Sequence, residues 1–317
     1  MKFLGMIDMI DMRDMIGMVC ARTDGRRRLA AVLVAGACSA LQPALAAEPA
    51  PQEKVLRVCQ DPNNLPFSSR DLSGFENKIA ALFAQQLGWK LAYTWYPQRM
   101  GYIRHTLRAK EADADAYKCD LVTGVALGFD LGATTLPYYR STYAMAYVKG
   151  KGLDGVNTLE DLLSLDPARR KALRLGVFGR SSVTEWLLKN GLIEQMVSYQ
   201  PQTGDPDQYP GEMVEKDLAS GVIDVAFAWG PIAGYFAKKV TTVPIVAVPL
   251  KPRADLRRDF SIAMAVRFGE NEFKEHIDEL IVGNRQQIAA ILVQYGVPLL
   301  DEHAATGAVA ASHTGAR

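Results

Sequence analysis

The sequence has little that would mark a catalytic or a nucleic-acid-binding protein. Its 36 Lys and Arg residues nearly balance 35 Asp and Glu residues, which leaves a formal net charge of +1. Without a basic excess the chain cannot neutralise a phosphate backbone, so we exclude nucleic acid as its main partner. The histidines fall in predicted helices or in the tail, and no nucleophile–base pair or phosphate-binding loop is present. We therefore expect no catalytic residue and no cofactor.

Long hydrophobic runs are also scarce, and the run near the N terminus has the pattern of an export signal. A basic stretch, Arg26–Arg28, precedes a short apolar region over 29–45, and Ala44–Ala46 supplies small residues for cleavage. We predict a signal peptide over 1–47 and no membrane span in the mature chain. The methionine-rich stretch over 1–18 fits either a start codon assigned too early or an amphipathic extension.

Cysteine is rare, and the spacing of the cysteines argues against a metal site. The four cysteines have no metal-ligand spacing, so we expect no metal site. Cys20 and Cys38 would leave with the signal peptide. Cys59 and Cys119 remain at the ends of two predicted strands that should lie close together. An oxidising compartment permits a disulfide between them, and two small buried thiols are the alternative.

From residue 54 onward, short β runs alternate with amphipathic helical stretches, which predicts parallel sheets with crossover helices. A clear helix is expected over Phe75–Leu87, and others over 100–110 and 211–220. Gly150 and Gly152 interrupt the alternation, and we interpret them as a joint between two lobes. The predicted division is lobe 1 at 54–149 and 251–300, lobe 2 at 152–250, and a flexible tail at 301–317.

Several stretches resemble one family of proteins in their order and spacing. They read VCQDPNNLPFS at 58–68, YTWYPQRMG at 93–101, CDLVTGV at 119–125 and YGVPL at 295–299. They resemble the quinoprotein-dehydrogenase-associated periplasmic binding proteins, the J-type accessory proteins of PQQ-dependent methanol and alcohol dehydrogenases. The resemblance covers about residues 54–300, nearly the whole predicted mature chain.

The resemblance implies an α/β fold of the type II periplasmic binding protein class, with two α/β lobes joined by a hinge that the chain crosses twice. It implies a periplasmic location and, as partner, a PQQ-dependent dehydrogenase, its c-type cytochrome, or both. Two alternatives remain open. One is a solute receptor of an ABC uptake transporter for a small non-amino-acid ligand. The other is an enzyme on this fold, for which Asp61, Glu76 and Asp130 are available but not paired.

The cleft between the lobes departs from that of amino-acid-binding relatives. Those proteins place an Arg after the third strand and an Asp after a strand of the second lobe. Here the stretch 119–131 holds no Arg, and Trp229 stands at the position of the Asp. We therefore do not expect a free amino acid as ligand. The aromatic and small residues that remain suit a small apolar ligand or a segment of a partner protein, with ordinary packing as the alternative.

The candidate site combines residues that follow predicted strands with two basic positions. Arg180 and Ser181 precede a helix of the second lobe and either bind a carboxylate or simply cap that helix. Arg99 either faces the cleft or is solvated. The expected ligand- or partner-binding residues are Asn64, Phe67, Arg99, Met100, Gly124, Tyr138, Tyr139, Arg180, Ser181 and Trp229.

Overall fold

The structure, a computed structural model, describes residues 53–200, 205, 207–251 and 259–301. The predicted signal peptide and almost all of the predicted tail therefore lie outside the described residues. No helix within these ranges is long and apolar enough to cross a membrane.

The first part of the chain places short parallel strands around one well-defined helix. The apolar residues Phe75, Ile79 and Phe83 recur on one face of this helix and are fully buried. The helix ends at Gly88, whose φ of 65° is a left-handed conformation that glycine adopts without strain. The elements are β1 Val55–Gln60, β2 Asn63–Asn64, β3 Ser68–Ser69, α1 Phe75–Leu87, β4 Lys90–Trp95, α2 Tyr102–His105, β5 Leu121–Ala126, β6 Ala133–Thr134 and β7 Tyr139–Val148.

The middle of the chain repeats the alternation around a second core. Its strands are short, and its central helix begins after Ser181 and carries buried Val183, Trp186 and Leu187. The elements are α3 Leu159–Leu163, α4 Pro167–Ala172, β8 Leu175–Phe178, α5 Ser182–Lys189, a 3-10 turn at Ile193–Gln195, β9 Met196–Tyr199, a π-helix at Met213–Leu218, β10 Val225–Trp229, α6 Gly230–Lys239 and β11 Ile245–Pro249.

The chain then returns to the first core through β12 Asp259–Val266, α7 Asn271–Gly283 and α8 Arg285–Gln294. Among the described residues, ten strands form one sheet, and its main path runs β4-β1-β5-β12-β7-β10-β8-β9. We call β1, β4, β5, β12, α1, α2, α7 and α8 the first lobe, and β8 to β11 with α3 to α6 and the π-helix the second lobe. This is the predicted type II periplasmic binding protein architecture.

Strand β7 belongs to both lobes. Its residues Tyr139 to Thr142 pair with β12, and its residues Tyr143 to Tyr147 pair with β10. The strand therefore changes partners between Thr142 and Tyr143. This change of partners lies ahead of the glycines at 150 and 152, where the sequence suggested the joint between the lobes.

Two helix predictions need correction. The helix expected over 100–110 is only the single turn α2, because Gly101 starts it at a φ of 85° and Thr106 leaves the helical region after His105. The helix expected over 211–220 is present, but its central residues Met213–Leu218 form a π-helix. Such wide turns often occur at functional sites, and this one borders the cleft between the lobes.

A disulfide joins Cys59 in β1 to Cys119, which lies two residues before the start of β5. The two Cα atoms are 5.5 Å apart, a normal spacing for a bonded pair. Both residues are fully buried beside Tyr102 and Leu107. The bond therefore fastens the poorly helical segment between β4 and β5 to the central strand of the first lobe.

Candidate functional site

The cleft between the lobes contains two connected cavities. The inner cavity has a volume of about 130 Å³ and the outer cavity about 520 Å³. They share Asp61, Asn64, Phe67 and Gln98. The other residues that line the inner cavity are Gln60, Ser68, Glu76, Tyr102, Thr123, Gly124, Tyr139, Trp229 and Ile262.

One loop of the first lobe reaches across to the second. Leu65 and Phe67 pack against the apolar core of the second lobe. The side-chain amide of Asn63 donates a hydrogen bond to the backbone carbonyl of Asp207, at 3.2 Å. The carboxylate of Asp61 accepts from the backbone N–H groups of Asn63 and Gln98, at 2.8 and 2.5 Å. Asp61 therefore holds together the two loops that form the mouth of the inner cavity.

Glu76 is a buried acid at the floor of the inner cavity, where only 4% of the residue is exposed. It follows Phe75 at the start of α1, so the buried face of the helix carries it into the cleft. The hydroxyl of Thr123 donates to Oε2 of Glu76 at 2.5 Å, and the hydroxyl of Tyr138 donates to Oε1 at 2.9 Å. Gln60 extends the network by donating to Thr123.

Burial raises the pKa of Glu76 to about 7, and the hydrogen bonds from Thr123 and Tyr138 oppose that rise only in part. Gly124 has a φ of +72°, and a Cβ atom there would lie 2.5 Å from Oε1 of Glu76. Glycine at this position therefore allows the cavity to reach the carboxyl group.

Aromatic rings form the walls above Glu76. Trp229 ends β10 and makes edge-to-face contacts with Tyr143 and Phe260, with ring centroids 5.5 and 5.8 Å apart. Phe67 and Tyr139 complete the lining from the first lobe and from β7. Trp229 also packs against the apolar cores of both lobes.

A third cavity of about 440 Å³ is lined by Arg180 and Ser181 together with Trp229. The hydroxyl of Ser181 accepts from the backbone N–H of Thr184, so Ser181 caps α5 as expected. Arg180 has a φ of 63°, an uncommon backbone conformation for a residue with a side chain. Arg180 and Glu76 therefore line different cavities, and Trp229 lines both.

The structure brings five of the expected site residues together around the inner cavity, namely Asn64, Phe67, Gly124, Tyr139 and Trp229. Tyr138 lies behind the cavity as a hydrogen-bond donor to Glu76. Arg99 lines the outer cavity, with its guanidinium carbon 5.5 Å from the centre of the Tyr96 ring. Met100 is 93% exposed and lines none of these three cavities.

The expectation of a mostly apolar cleft needs correction, because polar and acidic side chains line it. Asp61 and Glu76 border the inner cavity, and Asp205, Glu212 and Asp217 border the outer one. The sequence offered Asp61 and Glu76 only as unpaired acids. The two acids meet at the cavity because α1 packs against β1, the strand that Asp61 follows, and local sequence patterns do not predict such a contact.

The pKa of Glu76 makes stability depend on pH. An acid whose pKa is raised on folding favours the folded state at low pH, and this contribution is lost as pH rises through the folded pKa. The free energy of unfolding of the wild-type chain, relative to the Glu76→Gln variant, is expected to fall by about 3 kcal/mol between pH 4.5 and 7. Urea unfolding of both proteins at several pH values measures this, and parallel pH profiles would contradict it.

Comparisons with known proteins agree with this architecture. No family model matches the chain. The chain is 30% identical to the protein MoxJ of Methylorubrum extorquens over 308 residues, which cover 87% of this chain and 97% of MoxJ. The chain belongs to the MoxJ family. This membership confirms the family suggested by the sequence and extends it over nearly the whole chain.

Two solved structures of MoxJ-like proteins show the same fold. The periplasmic binding protein XoxJ of Methylobacterium extorquens is 36% identical, with a TM-score of 0.62, and the match covers 78% of this chain and all of XoxJ. MxaJ of Methlophaga aminisulfidivorans is 25% identical, with a TM-score of 0.60 and coverage of 77% of this chain and all of MxaJ. The MoxJ-family chain therefore has the type II periplasmic binding protein fold.

Proposed function

We propose that the chain is a periplasmic accessory protein of a PQQ-dependent methanol or alcohol dehydrogenase system, and that its interlobe cleft binds a segment of the dehydrogenase or of its c-type cytochrome. The observation that carries this proposal is the match to MoxJ along almost the full length of both chains. The partner itself is implied by the resemblance of the sequence to the J-type accessory proteins.

The cleft supports a protein segment as its occupant. The outer cavity, at about 520 Å³, is wide enough for several side chains and opens to solvent. The smaller inner cavity has room for one further side-chain group of the segment, between the aromatic residues that line it. Aromatic residues in such pockets often dominate the binding energy of protein interfaces. Trp229 borders both the inner cavity and the cavity beside Arg180, and it is the residue whose loss should matter most.

We expect the Trp229→Ala variant to bind the purified dehydrogenase, or its cytochrome, at least about tenfold more weakly than the wild type, because an aromatic hot spot contributes about 2 kcal/mol or more. Calorimetric titration of each partner with the accessory protein gives the dissociation constants. Circular dichroism shows whether the variant remains folded.

The matched control is Trp89→Ala. Trp89 is half-buried like Trp229, but it lies in the first lobe beside Lys54 and lines none of the three cavities described above. The Trp89→Ala variant should therefore have a lower free energy of unfolding but bind the partner with unchanged affinity. Equal losses of affinity in the two variants, or none in Trp229→Ala, would contradict a binding role for the cleft.

A further inference from the structure

The inner cavity has an unusual combination of lining groups. Two carboxyl residues, Asp61 and Glu76, line it together with the aromatic residues Phe67, Tyr139 and Trp229. Among the residues that the structure describes, none of those lining this cavity is Lys, Arg or His. A small space with carboxylates and aromatic faces is complementary to a positively charged organic group, which gains both hydrogen bonds and cation–π attraction.

Glu76 has no cationic partner among the described residues. Its hydrogen-bond donors are the neutral hydroxyls of Thr123 and Tyr138. An ionised carboxylate offers about four acceptor positions, so two donors leave acceptor capacity on Glu76. A buried carboxylate without a counter-ion is costly, and a bound cation would remove that cost.

The glycine at position 124 leaves the carboxyl group of Glu76 accessible from the cavity. Any side chain at Gly124 would meet Oε1 of Glu76, whereas its absence exposes that oxygen to the space beneath Trp229. A metal ion fits less well, because no group of three metal-ligating side chains occurs in the part of the chain that the structure describes. An ammonium group needs only hydrogen-bond acceptors and aromatic faces, which the cavity supplies.

We propose that the inner cavity binds one primary alkylammonium group, with Glu76 and Asp61 as acceptors and Trp229 as an aromatic wall. The group comes either from a lysine side chain of a partner segment or from a free small amine. The proposal rests on the proposed function in one respect, that the cleft is the binding surface. Beyond the proposed function, it specifies that the group bound in the inner cavity is positively charged.

The first test uses n-propylamine, which is a cation below about pH 10, and the neutral isostere 1-propanol, at pH 8. Chemical shifts of the Trp229 indole N–H, assigned with the Trp229→Phe variant, report occupancy. We expect saturable binding of the amine, at least about tenfold weaker binding of the alcohol, and a loss of at least about tenfold in amine affinity in Glu76→Gln. The control Glu275→Gln removes an exposed carboxylate of α7 and should bind the amine like the wild type.

The second measurement needs no variant. Amine binding to the wild type should weaken as pH falls from 8 to 6, because protonation of Glu76 removes its charge. The neighbouring groups that can titrate are Asp61 and the tyrosines at 102, 138 and 139. Burial raises the pKa of each of these tyrosines above its usual value, so the tyrosines stay neutral in this range.

Titration of the dehydrogenase or its cytochrome distinguishes the sources of the ammonium group. If Glu76→Gln and excess propylamine both weaken partner binding, the group is a lysine of the partner. If neither Glu76→Gln nor excess propylamine changes the affinity for the partner, while propylamine binding still requires Glu76, the group belongs to a free amine. Absence of saturable propylamine binding, or equal binding in wild type and Glu76→Gln, would overturn the proposal. Either result would leave the Trp229→Ala test of partner binding unaffected.

Discussion

Reduction of the Cys59–Cys119 disulfide is expected to lower the free energy of unfolding by about 4 kcal/mol. The bond closes a loop with a sequence separation of 60, and closing a loop of this length restricts the unfolded chain by an amount of that order. The segment it encloses contains α1, β4 and the short turn α2. Since α2 provides little regular structure of its own, this segment depends on the bond more than a long helix would.

Denaturant unfolding of the periplasmic protein with and without a reductant measures this effect. The control is the Cys59→Ala/Cys119→Ala double variant, whose midpoint should not respond to reductant. A wild-type midpoint that is the same under both conditions would show that the covalent bond contributes nothing to stability.

The Gly234→Ala substitution is expected to lower the free energy of unfolding by about 3 kcal/mol. Gly234 lies in α6 of the second lobe, and a Cβ atom there would overlap the backbone carbonyl oxygen of Gly296. Backbone at a contact point cannot move aside as a flexible side chain can, so the two segments must separate. The stacked rings of Tyr235 and Tyr295, 5.7 Å apart, and the bond from Lys238 to the carbonyl of Val293 would separate with them.

Gly283→Ala is the matched control for this prediction. Gly283 is the last residue of α7, and a Cβ atom there meets nothing within 4 Å. Alanine favours a helix over glycine by up to about 1 kcal/mol, so this variant should be as stable as the wild type or slightly more stable. Thermal unfolding compares the two variants. Similar midpoints for both would mean that the contact between α6 and Gly296, which follows α8, is not a tight one.

The elements that depend on local pattern could be predicted well. Helix Phe75–Leu87 has the predicted bounds, because its apolar spacing and the following Gly88 are both local signals. The break between α7 and α8 falls at Gly283 and Asn284, which are likewise local signals for the end of a helix. The failure at 100–110 has a tertiary cause. Arg267 from the end of β12 bonds the carbonyls of Leu107 and Cys119, which offers that backbone an alternative to a helix.

The candidate site was predictable only in outline. Ligands bind near the carboxyl ends of strands in such sheets, and this rule led to Gly124, in the second half of β5, and to Trp229, the last residue of β10. The role of Glu76 was not predictable, because its partners Thr123 and Tyr138 come from β5 and the start of β7, far from it in sequence. The change of partners within β7 escaped prediction for a similar reason, since one uninterrupted strand gives no local sign that it serves two lobes.

The most direct test of the account is whether the partner enters the cleft. Gln98 is exposed and borders both connected cavities, whereas Glu275 is exposed on α7 and borders neither. A photo-reactive p-benzoylphenylalanine placed at one position or the other, followed by irradiation with the dehydrogenase and the cytochrome, shows which surface touches them. We predict a cross-link to one of the two proteins from position 98 and none from position 275. A cross-link from position 275 alone would contradict the account.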